Sequence, residues 1–103
     1  MKMKLIAGVA ASLALMTAVP AQAQQAVRIG AIYPLSGALA STGAEIKAAV
    51  ELAVEIINNP HPELEGIPLA AGSGLPGLGG AKIEVVFGDS QGKPEVGLAD
   101  AQR

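Results

Sequence analysis

Ser36, Ser41 and Thr42 are the residues whose types and spacing best suit work on a small molecule: three hydroxyls within seven positions, interleaved with Gly37. Hydroxyls donate and accept hydrogen bonds, and beside free backbone N–H groups they can receive an anion such as a carboxylate. Ser41 and Thr42 have an equally good alternative use as helix caps. Thr42-Gly43-Ala44-Glu45 has the T-x-x-E form of a capping box, in which the Thr42 hydroxyl and the Glu45 carboxylate each take an orphan backbone N–H. Asp89 and Ser90 are a second polar pair, but the chain offers no histidine or lysine partner to activate Ser90 as a nucleophile. A turn accounts for both residues. His61, the single histidine, stands between Pro60 and Pro62 with no second ligand near it, and is expected to be a solvated loop residue. Gly72-Ser73-Gly74-Leu75-Pro76-Gly77 fits G-x-G-x-x-G by letter. A dinucleotide cradle needs a strand before it and a helix after it, and Pro76 removes a needed N–H, so a chance match is expected.

Composition narrows the classes further. The 103 residues include no cysteine, which removes disulfides and thiolate metal sites, and the only aromatics are Tyr33 and Phe87. The net charge is −2, with no cationic face for nucleic acid. Neither a cofactor nor a metal is expected.

The apolar residues are concentrated at the front, where 16 of the first 23 are hydrophobic. Lys2 and Lys4 precede an uncharged run over residues 5–19, Pro20 interrupts it, and Ala21-Gln22-Ala23 supplies a small-x-small cleavage pattern. This reads as a secretory signal over residues 1–23, cleaved between Ala23 and Gln24. A membrane anchor would need about 18 or more apolar residues, which the run does not reach. No cysteine is present for lipid attachment, so the expected product is an unanchored protein of the bacterial periplasm. Residues 24–103 carry nine acidic and five basic groups.

The elements that must position the hydroxyls follow from periodicity. Residues 27–33 form a short apolar run suited to a strand buried on both faces of a parallel sheet. A loop over 34–43 leads to the capping box, and from Ala44 the residues Ile46, Ala49, Val50, Ala53, Val54 and Ile57 mark one helical face. Asn58-Asn59-Pro60 ends that helix. Residues 59–80 hold four prolines and six glycines, too many breakers for regular structure, and are expected to be a mobile surface excursion. A second strand is predicted over 82–87, with Ile83, Val85 and Phe87 on one face, then a polar turn over 88–92. A helix starts at Pro94 and runs to Arg103 without a stop signal. The order β-α-β-α is that of a doubly wound α/β sheet, whose carboxyl edge is where such sheets bind ligands. The loop and helix start over 36–45 fall on that edge. Two parallel strands cannot cover their own faces, so the expectation is an N-terminal piece of a longer protein that does not fold stably alone.

Val27-Arg28-Ile29-Gly30-Ala31-Ile32-Tyr33-Pro34-Leu35-Ser36-Gly37, then Gly43, then the helix from Ala48 to Asn58, resembles the opening of the branched-chain amino acid binding proteins of ABC importers, in the type I periplasmic binding protein family. Lys82-Ile83-Glu84-Val85-Val86-Phe87-Gly88-Asp89-Ser90-Gln91-Gly92-Lys93-Pro94 resembles that family's second block. The resemblance implies a two-lobed protein that closes on an amino acid or related small carboxylate and delivers it to a membrane permease, without catalysis. It implies that Thr42, just before the first-loop glycine, contributes to the ligand. The family commonly has an aromatic there, whereas Thr42 offers a hydrogen bond and no apolar wall. Lys93 stands where the family has an acidic or small helix cap, and residues 59–80 are an insertion relative to shorter relatives. The remaining ligand contacts implied by the family lie beyond Arg103. The partners so implied are a small-molecule ligand and an ABC permease, with no nucleic acid. The alternatives are a ligand-sensing protein on the same fold, an exported enzyme on a doubly wound sheet, and a nonfunctional truncated remnant.

Overall fold

The computed structural model describes residues 25–103; the export signal and its cleavage point at Ala23 and Gln24 lie outside them. Strand β1 (Val27–Tyr33) runs to helix α1 (Ala40–Asn58). Strand β2 (Ile83–Asp89) follows a long connection and leads to helix α2 (Pro94–Ala101). The strands pair in parallel from Val27 opposite Ile83 to Tyr33 opposite Asp89, so both end at the same edge. This is the expected β-α-β-α arrangement of a mixed α/β fold.

Alternation along β2 turns Ile83, Val85 and Phe87 toward α1, where they are half-buried, while Glu84 and Val86 are exposed. Val50, Val54 and Ile57 of α1 meet them, and Lys47 Nζ lies 5.2 Å from the centroid of the Phe87 ring. The other sheet face meets α2, and Gly88 is buried against the Asp100 side chain there. A side chain at position 88 would meet the Asp100 carboxylate, so glycine permits the close contact of α2 with β2.

Several expectations change. β1 is not buried on both faces: Ile29 is 45% exposed, because one helix on each face of a two-stranded sheet leaves the outer edge of β1 uncovered among the described residues. For the same reason Ile46, Ala49 and Ala53 of the apolar face of α1 are exposed. β2 continues two residues further than predicted, through Gly88 and Asp89, because the ladder with Ile32 and Tyr33 continues. α2 stops at Ala101.

The connection over 59–82 is not irregular. It contains two short 3₁₀ turns, Pro68–Ala70 and Pro76–Leu78, and an isolated bridge between Leu75 and Ala81. It is also folded back on the domain: the Gly74 amide donates to the Ile57 carbonyl at 2.7 Å and the His61 amide to the Ala70 carbonyl at 2.7 Å. Ala70 and Ala81 are the buried hydrophobic residues among those described. The prolines start the turns at Pro68 and Pro76, so the breakers organise the segment.

Candidate functional site

The carboxyl edge of the sheet is built from the ends of both strands. After Tyr33 the chain turns through the first loop, residues 34–39, and after Asp89 through a second turn over 90–93. The Ser90 amide donates to the Tyr33 carbonyl at 3.0 Å, extending the ladder by one bond. Beyond that the Asp89 side chain takes over. Its Oδ1 accepts from the amides of Leu35 at 2.9 Å, Ser36 at 3.2 Å and Gln91 at 2.8 Å, and its Oδ2 accepts from the Ser36 hydroxyl at 2.6 Å. The Ser36 hydroxyl first, then the Gln91, Leu35 and Ser36 amides, lower the Asp89 pKa below the usual aspartate value against the opposing effect of burial. Asp89 is therefore a carboxylate at neutral pH.

Two glycines hold the loop against its neighbours. Gly37 has φ +84°, and a side chain there would press on the Gln91 carbonyl. Gly43, in the first turn of α1, is buried so close to the Pro34 carbonyl that any side chain would overlap it. The start of α1 is thus packed directly on the end of β1.

The capping box does not form. α1 begins at Ala40 with Leu39 preceding it, and no side chain caps the end. Winding starts early because the Ala40 amide reaches the Gly37 carbonyl at 3.2 Å and the Gly43 amide reaches the Leu39 carbonyl at 2.9 Å. Thr42 is consequently the third residue of the helix and not its cap. Ser41 and Thr42 are exposed on this first turn.

His61 is not a solvated loop residue. Its Nδ1 lies 2.8 Å from Glu63 Oε1, and Nε2, closed off from solvent, lies 2.7 Å from Glu55 Oε2 of α1. The hydrogen bond with Glu63 raises the imidazole pKa above the ordinary 6.5; burial opposes this and Glu55 adds to it. The two carboxylates occupy opposite ring nitrogens, which is the geometry of a strap between α1 and the connection. Among the described residues no group of three or more His, Asp or Glu side chains is arranged to hold a metal ion.

The sequence matches the periplasmic binding protein family over residues 26–103, which includes both strands, both helices and the connection between them. The chain belongs to the periplasmic binding protein family. It is also 33% identical over 103 residues to Leu/Ile/Val-binding protein homolog 3 of Brucella melitensis biotype 1. That match covers 100% of this chain and 23% of the relative, so the chain spans about a quarter of its relative's length.

Within this periplasmic binding protein, the three hydroxyls named from sequence fall on two adjoining elements of one sheet edge. Ser36 is in the first loop, bonded to Asp89; Ser41 and Thr42 are on the first turn of α1. Concavities lie elsewhere: one of about 630 Å³ on the α2 side of the sheet is lined by Ile29, Phe87, Gly88 and Asp100, and one of about 390 Å³ between the sheet and α1 is lined by Ile29, Val50, Ile57 and Val85. The G-x-G-x-x-G string is tied to neighbouring backbone, since the amides of Gly74 and Leu75 donate to the carbonyls of Ile57 and Ala81. Ser90 serves its own turn, with Oγ accepting from the Gly92 amide at 3.3 Å. Sequence reasoning placed Asp89 in a turn and missed its bonds to Leu35 and Ser36. Its position at the end of a strand in the same block as Gln91-Gly92 is the signal that was available.

Proposed function

We propose that residues 24–103 are the start of the first lobe of a periplasmic solute-binding component of an ABC importer. It binds an amino acid or related small carboxylate and hands it to the membrane permease, and it catalyses no reaction. The observation that carries this reading is the match to the periplasmic binding protein family across the described β-α-β-α unit. The 33% identity to a Leu/Ile/Val-binding protein homolog supports an amino acid as the ligand class. Thr42, Ser41 and Ser36 are the ligand contacts contributed by this segment, because they stand on the sheet edge at which open α/β sheets receive ligands. Thr42 brings a hydroxyl without an apolar wall, so the segment supplies polar contacts. Export through residues 1–23 places the protein in the periplasm without a lipid anchor.

Thermal-shift screening of the full-length protein against the amino acids and aromatic carboxylates tests the reading. A ligand at 100 times its dissociation constant stabilises by about 2.7 kcal/mol, which is readily seen as a raised melting temperature. Failure of every compound to stabilise it would sink the proposal.

A further inference from the structure

Asp89 belongs to the end of β2, yet its bonds reach the loop that carries Ser36. We infer that Asp89 is the positioning residue of the ligand site: its carboxylate holds the first loop in binding shape and fixes the Ser36 hydroxyl as an acceptor for the ligand's ammonium group. The inference rests on the solute-binding reading.

The argument begins with acceptor capacity. A carboxylate offers roughly four lone-pair positions. Asp89 already receives four donors: three amides on Oδ1 and the Ser36 hydroxyl on Oδ2. Oδ1 is filled by its three amides and Oδ2 gives one of its two positions to the Ser36 hydroxyl, so the carboxylate's bonds go chiefly to holding the loop and Asp89 acts through the groups it holds. Those groups are separated from it by more than fifty residues along the chain, at Leu35 and Ser36, as well as locally at Gln91. The loop contains Gly37, and without the clamp it would have to be ordered at the moment of binding, a cost that appears as weaker affinity.

The second step concerns the direction of one proton. At 2.6 Å, Ser36 Oγ to Asp89 Oδ2 is a charge-assisted bond in which only the hydroxyl has a proton to give. With that proton committed, Ser36 Oγ has only lone pairs to offer. The ligand group it meets is therefore a donor, which the ammonium of an amino acid is and a carboxylate is not.

The test uses the full-length protein with the twenty L-amino acids as probes. In the ligand-free wild type, the amides of Leu35, Ser36 and Gln91 should exchange slowly with deuterium. D89A should speed their exchange at least about tenfold and weaken the tightest amino acid about tenfold, while D89N, which keeps an acceptor oxygen for the amides but turns a donor toward Ser36 Oγ, should restore the slow exchange and leave the amino acid bound weakly. S36A should lower the preference for that amino acid over its deaminated carboxylate about fivefold or more. Fast exchange of these amides in the wild type overturns the inference, and does so even if D89A fails to fold. Unchanged affinity in a folded D89A, or an unchanged preference in S36A, overturns it while leaving the solute-binding reading intact. A wild type that binds none of the amino acids removes both.

Discussion

Asn58, the last residue of α1, exchanges two hydrogen bonds with the backbone of Ile83, the first residue of β2: its Nδ2 donates to the Ile83 carbonyl at 2.7 Å and its Oδ1 accepts the Ile83 amide at 2.8 Å. The carboxamide copies a peptide group and pairs with the strand as a neighbouring strand would. Both polar groups of Ile83 are engaged by Asn58, so this rung lies on the side of β2 away from β1 and finishes the start of that edge. Truncation by N58A leaves a partly buried amide and carbonyl without partners, and should cost about 1–3 kcal/mol. N58D should do no better, because its carboxylate would face the Ile83 carbonyl. Chemical denaturation of the full-length protein checks both; a loss below a few tenths of a kcal/mol for N58A would show the rung to be dispensable.

Gly43 should not tolerate a side chain. G43A drives a methyl group into the Pro34 carbonyl and should destabilise by about 1–3 kcal/mol through forced backbone movement. Ligand affinity should fall with it, since the displaced backbone carries Ser41 and Thr42. Gly30 is the matched control, having open space among the described residues where a Cβ would stand, and G30A should leave the melting temperature unchanged or higher.

The His61 strap gives stability a pH dependence whose direction follows from the two partners. The imidazole pKa is raised, so its contribution is complete below the ordinary 6.5 and is lost as pH rises through the raised folded-state value. The Glu63 pKa is lowered, chiefly by its bond to His61, so its contribution is complete above the ordinary 4.5 and is lost as pH falls through the lowered value. The strap is strongest between those limits. An NMR titration should place His61 above 6.5 in the wild type and move it down in E63Q. No movement on that substitution would assign the shift to Glu55 instead.

Export supplies a fourth expectation. Mature protein recovered from the periplasm should begin at Gln24, as read by N-terminal sequencing or intact mass. A product retaining residues 1–23 would refute cleavage after Ala23.

What the sequence revealed and what it hid divide along a physical line. The bounds of β1 could be read because an apolar run interrupted only by Arg28 covers 27–33 and Pro34 closes it, and the end of α1 because Asn59 before Pro60 is extended, with φ −130°. Local pattern carries both. The start of α1 was misread because Thr42-Gly43-Ala44-Glu45 satisfies the letters of a capping box, whereas the packing of Gly43 on Pro34 and the turn from Gly37 to Ala40 decide where winding begins. The link from Asp89 to Ser36 and the rung from Asn58 to Ile83 join residues 53 and 25 positions apart, and no local period encodes such pairings. Of the candidate site, the three hydroxyls were named by residue type, and Asp89, which bonds Ser36, was legible only as a turn former.

The rung between Asn58 and Ile83 also makes the intervening segment a closed circuit, with Gly74 inside it tied to Ile57 just before its start. For a circuit whose ends are already joined, lengthening the contour is cheap: each doubling of a flexible loop adds only about 0.6 kcal/mol of closure entropy. Glu65 and Gly66, exposed and away from both that junction and the contact of His61 with Glu63, are thus a natural splice point for a fluorescent reporter, which would ride on this unit without lying in the path of the sheet edge.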